Sequence, residues 1–157
     1  MKVSDCMKHN VVAILATATL DEAVRLLVAR HIGLLPVVDE QRRPIGVLGL
    51  RDLLTLALPA FVDLMEDVDF VLDFGAAELT RPSPEVLGKS VTTLMRPPTT
   101  IQEDCGLLRA YALMRQHDLH DLPVVAADGT LVGILSRVDL ATAVLAGWQA
   151  GEGNPPC

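Results

Sequence analysis

Ser136 and Asp139 stand at a spacing that can serve either structure or ligand binding. The carboxylate follows the hydroxyl by three residues, the separation at which the two groups satisfy free backbone amides at the start of a helix. An ionised carboxylate also offers two acceptor oxygens to a ligand that carries hydroxyl groups. Taken alone, the pair favours a helix cap over a ligand site.

A second polar group lies just before it in the chain. His117 and His120 are three residues apart, and Asp118 and Asp121 follow them directly. Imidazole and carboxylate groups are common zinc ligands, so the group raises a metal site as an alternative. These residues follow a predicted helix, where histidine is ordinary, and no third ligand group is evident. The pattern favours histidines without a metal.

The remaining motifs give little sign of catalysis. We find no nucleophile–base pair, no phosphate-binding glycine loop and no metal-ligand spacing, so an enzyme is disfavoured. The cysteines are odd in number and widely spaced, which predicts small apolar residues rather than disulfides or a metal pair. They are Cys6, Cys105 and Cys157.

Composition narrows the class of protein. The 157 residues are 50% apolar and 21% charged, which excludes disorder over most of the chain. Aromatic residues make up 3%, so the core must be aliphatic. The net charge of −7 argues against nucleic-acid binding. No apolar run reaches the roughly 18 residues of a membrane span, and the N-terminus does not resemble a signal peptide. We therefore expect a cytoplasmic protein.

Much of the negative charge lies in one segment. Residues 58–80 contain six acids and no lysine or arginine, and they follow a helical apolar pattern after Pro59. We predict an acidic surface helix here that packs on the rest of the protein or on a dimer mate. Arg81–Pro84 reads as a linker, and the residues from Gly151 as a loose tail. The acids are Asp63, Glu66, Asp67, Asp69, Asp73 and Glu78.

The two ends of the chain repeat one another. Pro36-Val37-Val38 recurs 87 residues later as Pro123-Val124-Val125, and the same offset relates Gly46-Val47-Leu48 to Gly133-Ile134-Leu135 and Asp52 to Asp139. Internal similarity at this many positions indicates a duplicated structural unit. The predicted division is residues 1–58, an insert at 59–90, residues 91–147, and a flexible tail at 148–157.

Each unit reads as β-α-β-β-α. In the first, Thr19 and Glu22 have capping-box spacing before the amphipathic helix Leu20–Arg30. A hairpin and a last helix follow, and Asp128-Gly129 marks the hairpin turn of the second unit. One unit alone is too small to bury a good core. We predict an α+β fold in which the two units pack sheet to sheet about a pseudo-twofold axis.

This pattern resembles a pair of CBS domains. The segments that carry the resemblance are Pro36–Asp39 with Gly46–Asp52, and Leu122–Val125 with Val132–Asp139. It implies a non-catalytic regulatory module that requires no cofactor. Such a module binds AMP, ADP, ATP or S-adenosylmethionine between the repeats, forms disc-like homodimers and signals to a regulated protein, unknown here, by changing conformation.

The resemblance also implies two clefts of unequal quality. In one, Asp139 would accept the ribose hydroxyls, amides at the helix start would face phosphate, and an apolar slot would hold adenine. Its residues would be Ser136, Arg137, Asp139, His120, Ile134, Lys8 and Val12. Arg137 and His120 would face phosphate. Nucleotide binders of this family often have arginine at the position of Asp121, so the aspartate weakens the case for a triphosphate.

The other cleft departs from the family pattern. Asp52 is present, but Gly49 replaces the expected serine or threonine. The facing segment contains Arg96, Thr99 and Thr100. We expect this cleft to bind less well or to stay empty. The alternative function is a structural dimerisation or interaction module in which both clefts are empty.

Overall fold

The computed structural model of the protein describes residues 1–57 and 81–150, with side-chain placement up to residue 148. The acidic helix predicted after Pro59 and the tail from residue 151 lie outside the described residues. Within them, the chain forms two sheets of three strands each, with helices. The α+β class and the twice-repeated β-α-β-β-α order predicted from the sequence are confirmed.

The first repeat contains one parallel and one antiparallel strand pair. Its elements are β1 (Ile14–Leu15), α1 (Leu20–Arg30), β2 (Leu34–Val38), β3 (Pro44–Gly49) and α2 (Leu50–Leu54). Strand β1 runs parallel to β2, and β2 pairs antiparallel with β3. The capping box predicted at the start of α1 is present, because the Thr19 amide donates to Glu22 Oε2 at 2.8 Å. Leu20, Ala23 and Leu27 form the buried stripe of that helix.

The second repeat copies this arrangement. Its elements are β4 (Ile101–Gln102), α4 (Leu107–Gln116), β5 (Asp121–Val125), β6 (Leu131–Ser136) and α5 (Arg137–Ala150). The strand pairing is again parallel and then antiparallel, and both hairpins have a register shift at the same place, Val37/Val38 and Val124/Val125. His31 and Asp118, which are also 87 residues apart, both adopt positive φ after the first helix of their repeat. The duplication therefore extends to backbone irregularities.

The opening segment of each repeat belongs to the core of the other repeat. Val3 and Met7 are buried with Leu107 and Leu135 of the second repeat. Val91 is buried with Leu20 and other residues of the first repeat. The predicted boundaries at residues 58 and 91 describe order along the chain but not packing, because each repeat completes its core with a segment from its partner.

Two glycines allow these exchanged segments to approach the hairpins. A Cβ on Gly133 would collide with Sδ of Met7 and would lie 3.2 Å from the Lys8 carbonyl oxygen. A Cβ on Gly46 would collide with Sδ of Met95 in the same way. A side chain at either position would therefore compete with the opening segment for the same space.

Two sequence predictions need correction next to these repeats. Part of the predicted linker is helical, because Ser83 caps α3 (Pro84–Leu87) and Pro84 occupies its first turn, where proline needs no amide partner. The predicted flexible tail at 148–157 begins too early, because α5 continues to Ala150. In the first repeat, α2 is only five residues long and ends at Leu54.

Candidate functional site

Two cavities lie at the seam between the repeats. The first, called here the Asp139 cleft because Lys8 in its lining pairs with Asp139, has a volume of about 220 Å³ and extends from the Lys8 segment to Asp121 at the start of β5. The second, called here the Asp52 cleft, has a volume of about 260 Å³. The Asp139 cleft is lined by Lys8, Asn10, Val11, Val12, His31, Ile32, Gly33, Leu34, Asp121 and Ile134. The Asp52 cleft is lined by Leu34, Val47, Arg96, Pro97, Thr99, His117, Leu119, Asp121 and Pro123.

Backbone pairing between the repeats places each basic residue at its cleft. The amide and carbonyl of Lys8 exchange two hydrogen bonds with Ile134 on β6, each 2.9 Å long. Arg96 and Val47 on β3 exchange the equivalent two bonds, also at 2.9 Å. Because these bonds join one repeat to the other, each cleft combines an opening segment from one repeat with a hairpin from the other.

Asp139 lies at the start of α5 and has two roles there. Its Oδ2 accepts hydrogen bonds from the Ser136 hydroxyl at 2.6 Å and from the Ser136 amide at 3.3 Å, while the Asp139 amide donates to Ser136 Oγ at 3.0 Å. This is the capping box that the spacing predicted. Its Oδ1 instead faces Lys8 Nζ at 3.4 Å. Asp139 is therefore a helix cap whose second oxygen contacts Lys8, which lines the cleft, although Asp139 itself is not among the lining residues.

The environment of Asp139 keeps it ionised. Partial burial raises the pKa of the Asp139 carboxyl, but the hydrogen bonds from Ser136 and the positive charge of Lys8 outweigh that effect. The pKa of Asp139 therefore lies below its usual value. The Lys8 side chain is 65% exposed, so a ligand could displace its ammonium group at little cost in buried contacts.

Asp52 holds the equivalent place in the other cleft with different partners. Its Oδ2 accepts the Gly49 amide at 2.7 Å, and its Oδ1 accepts the Arg96 guanidinium Nε at 2.7 Å. Gly49 supplies no hydroxyl. The ion pair with Arg96 is short and charge-assisted, so both carboxylate oxygens already have close donors.

The structure brings some of the predicted site residues together and separates others. Lys8, Val12 and Ile134 line the Asp139 cleft, and Thr99 lines the Asp52 cleft. Thr100 lines neither of these cavities. Arg137 was predicted to reach phosphate, but its Nε donates to the Leu119 carbonyl at 2.7 Å and its Nη2 to Asp118 at 3.2 Å. These bonds hold its guanidinium beside the turn before β5, so the Arg137 prediction is not supported by this geometry.

Asp121 was predicted only to weaken the case for a triphosphate, and its place in the lining of both clefts was not predicted. Asp121 begins β5 opposite Ser136 and borders the two cavities together with Leu34, its counterpart in the first repeat. Burial raises the pKa of the Asp121 carboxyl, opposed by His120 and Lys8 and reinforced by Asp139. The 87-residue offset could have revealed this position of Asp121. The offset aligns the Asp121 carboxylate with Leu34 at the centre of the pseudo-twofold arrangement.

Metal binding receives no support from the described part of the chain. Residues 1–57 and 81–150 contain no group of three histidine, cysteine, aspartate or glutamate side chains arranged to hold an ion.

His120 was predicted to face phosphate. It lines neither cleft, although its charge acts on Asp121. None of the helices in the same two ranges has the length and apolar character needed to cross a bilayer.

An apolar groove lies between α4 and α5, away from the clefts. Its volume is about 410 Å³, and charged residues are absent from its lining within the described chain. Leu108 is 82% exposed there and Trp148 is 68% exposed. The equivalent groove between α1 and α2 has charged Asp21 and Arg81 in its lining, together with Pro82 and Leu87 from the segment around α3. The two repeats therefore differ on their helical faces as well.

Comparison with known proteins shows what this architecture is similar to. The family model "CBS domain" matches residues 3–58 and 89–146. The Arabidopsis thaliana CBS domain-containing proteins CBSX2 and CBSX1, both chloroplastic, are 32% and 31% identical over 144 and 152 residues, covering 88% and 94% of this chain. The chain spans 60% and 64% of their lengths. The crystal structure of CBSX2 in complex with AMP superposes with a TM-score of 0.71 at 30% identity, covering 94% of this chain and 98% of that one.

Proposed function

Because this chain belongs to the CBS-domain family, we propose that it is a regulatory module that binds an adenosine-containing ligand in the Asp139 cleft. The candidate ligands are AMP, ADP, ATP and S-adenosylmethionine. The complex of CBSX2 with AMP supports this class of ligand. Catalysis forms no part of the proposal. The existence of a regulated partner protein and the cytoplasmic location stay predictions.

The observation that carries the proposal is the orientation of Asp139. Its Oδ2 is held by Ser136, and its Oδ1 faces an exposed lysine at 3.4 Å. A ribose with two adjacent hydroxyl groups can donate to this ionised carboxylate once the Lys8 ammonium moves aside. Val12 and Ile134 supply apolar surface for the flat base.

Exchange of the opening segments could couple ligand binding to a change in how the two repeats are arranged. A ligand in the Asp139 cleft touches the Lys8 segment and β6 together, and these belong to different repeats along the chain. Binding that differs between two arrangements of the repeats shifts the population toward the better binding one. We propose that a change in the angle between repeats is the signal read by a partner.

Titration calorimetry tests the binding step. We expect heat with at least one of AMP, ADP, ATP and S-adenosylmethionine, and a loss of about tenfold or more in affinity for Asp139→Asn, since a hydrogen bond to a charged group contributes about 1.5–3 kcal/mol. Asp104→Asn removes an equal charge from an exposed position outside both clefts and should bind like wild type. Circular dichroism confirms that each variant is folded. Absence of heat with all four compounds would refute the function.

We also propose that two copies of this chain pair through the α4–α5 groove. In an isologous interface the same patch meets itself, so a patch without charge has nothing to repel its copy. The groove lining meets that condition, and Leu108 and Trp148 would be covered. This groove also favours the second candidate function, a dimerisation or interaction module with empty clefts.

Oligomeric mass tests the pairing. Wild-type protein should sediment as a dimer and Leu108→Glu as a monomer, because a charge in a buried apolar interface lacks a partner. Emission from Trp148, the single tryptophan, should shift to longer wavelength when the groove is exposed. Val28→Glu, at a position 71% exposed on α1, is the matched control and should leave the mass unchanged. A monomeric wild type would contradict the proposal.

A further inference from the structure

Asp121 occupies a position that a ligand in either cleft must approach. It is half-buried at the start of β5 and lines both the Asp139 cleft and the Asp52 cleft. Its Oδ2 lies toward the backbone of the first repeat, 4.0 Å from where a Cβ on Gly33 would be. With volumes of about 220 and 260 Å³, neither cavity lets a nucleotide-sized ligand remain far from this carboxylate.

The charged groups around the seam leave Asp121 without a cation in direct contact, although His120 and Lys8 act on it from a distance. Lys8 pairs with Asp139 and Arg96 pairs with Asp52, so the basic side chain at each cleft is bound to an acid other than Asp121. Arg137 is engaged with Asp118. Among the described residues, no lysine, arginine or histidine nitrogen lies within 4.0 Å of the Asp121 carboxylate. With the histidines neutral, the ion pairs of Lys8 and Arg96 cancel, and the two clefts share one net negative charge, that of Asp121.

A fixed negative charge opposes bound anions most strongly where water is partly excluded. The effective dielectric constant at such a site is well below that of water, so repulsion grows with each phosphate added to a ligand. A neutral or cationic substituent meets no such penalty. The raised pKa of Asp121, due first to burial, agrees with a carboxylate that lacks a close cationic partner.

We infer that Asp121 is a specificity-determining residue that makes the Asp139 cleft prefer adenosine compounds with a neutral or positively charged 5′ group over nucleoside polyphosphates. The inference rests on the proposed function and narrows its ligand class. Affinity should fall in the order adenosine, AMP, ATP. S-adenosylmethionine should bind better than AMP, because its sulfonium carries positive charge. Any binding of ATP would then occur against this charge.

Calorimetry on wild type and Asp121→Asn tests the inference with adenosine, AMP, metal-free ATP and S-adenosylmethionine. We expect the variant to bind ATP about tenfold more tightly, AMP about threefold more tightly, and adenosine within about twofold of wild type. S-adenosylmethionine should bind more weakly to the variant. Asp104→Asn is the control for a change in net charge and should leave all four affinities unchanged. The preference of wild type for adenosine over ATP should shrink in about 1 M salt, where the screening length is about 3 Å.

The outcomes separate this inference from the proposed function. Equal changes for adenosine and ATP in Asp121→Asn would show a structural effect and overturn the inference. Adenosine binding with unchanged discrimination between adenosine and ATP would overturn the inference while leaving the proposed function intact. Failure of wild type to bind any of the four compounds would overturn both.

Discussion

The two clefts share a backbone and differ in the side chains that close them. In each, an opening segment pairs with the other repeat's hairpin, and an aspartate at the start of a helix meets a basic residue. Arg96 contacts Asp52 at 2.7 Å, whereas the more exposed Lys8 lies 3.4 Å from Asp139. We propose that serine and lysine leave Asp139 available to a ligand, while both oxygens of Asp52 are held by Gly49 and Arg96. The two clefts therefore share a backbone arrangement and differ in the residues that contact the aspartate.

Close packing of the exchanged segments is the feature in which the repeats should behave alike. Gly46→Val and Gly133→Val each place a side chain where Met95 or Met7 lies. We expect each to lower the free energy of unfolding by about 1–3 kcal/mol, the usual effect of overpacking a core. Urea denaturation followed by circular dichroism measures both. A cost at one glycine and none at the other would show that the exchange is not equivalent in the two repeats.

Removal of Arg96 should make the clefts more alike. In Arg96→Gln, Asp52 loses its cationic partner and gains a free oxygen. We expect calorimetry to show two adenosine sites per chain in place of one. Arg25→Gln breaks an exposed ion pair with Asp21 instead and should keep one site. Unchanged stoichiometry in Arg96→Gln would mean that the arginine does not close the Asp52 cleft.

The pH dependence of stability should report the cap role of Asp139 separately from binding. Because its pKa is lowered in the folded state, ionised Asp139 stabilises the fold above its unfolded pKa, and this contribution is lost as pH falls through the lower folded value. Asp139→Asn should cost about 1 kcal/mol at pH 7, comparable to loss of a helix cap. Thermal denaturation should show the gap between variant and wild type closing below about pH 4. A gap that is independent of pH would contradict the role assigned to the carboxylate.

Local sequence patterns predicted much of the fold because helix caps and amphipathic helices depend on residues that are close together in the chain. The Thr19–Glu22 spacing located the start of α1, and the 87-residue offset identified the two repeats. The resemblance placed the opening segment of each repeat opposite the other repeat, but the close packing of Met7 on Gly133 was not predicted, since the two residues meet only through long-range packing. The same limit applies to Arg137, whose partners Asp118 and Leu119 depend on how the turn before β5 folds. Asp139 was correctly recognised as a possible cap, yet the direction of its second oxygen required coordinates.

A crystal structure with adenosine soaked into the protein tests the inequality of the clefts most directly. We predict density for one adenosine per chain in the Asp139 cleft, with both ribose hydroxyls within hydrogen-bond distance of the Asp139 carboxylate and Lys8 displaced from it. The Arg96–Asp52 ion pair should remain intact. Adenosine bound at Asp52 with the Asp139 cleft vacant, or density in neither cleft at saturating ligand, would contradict the account.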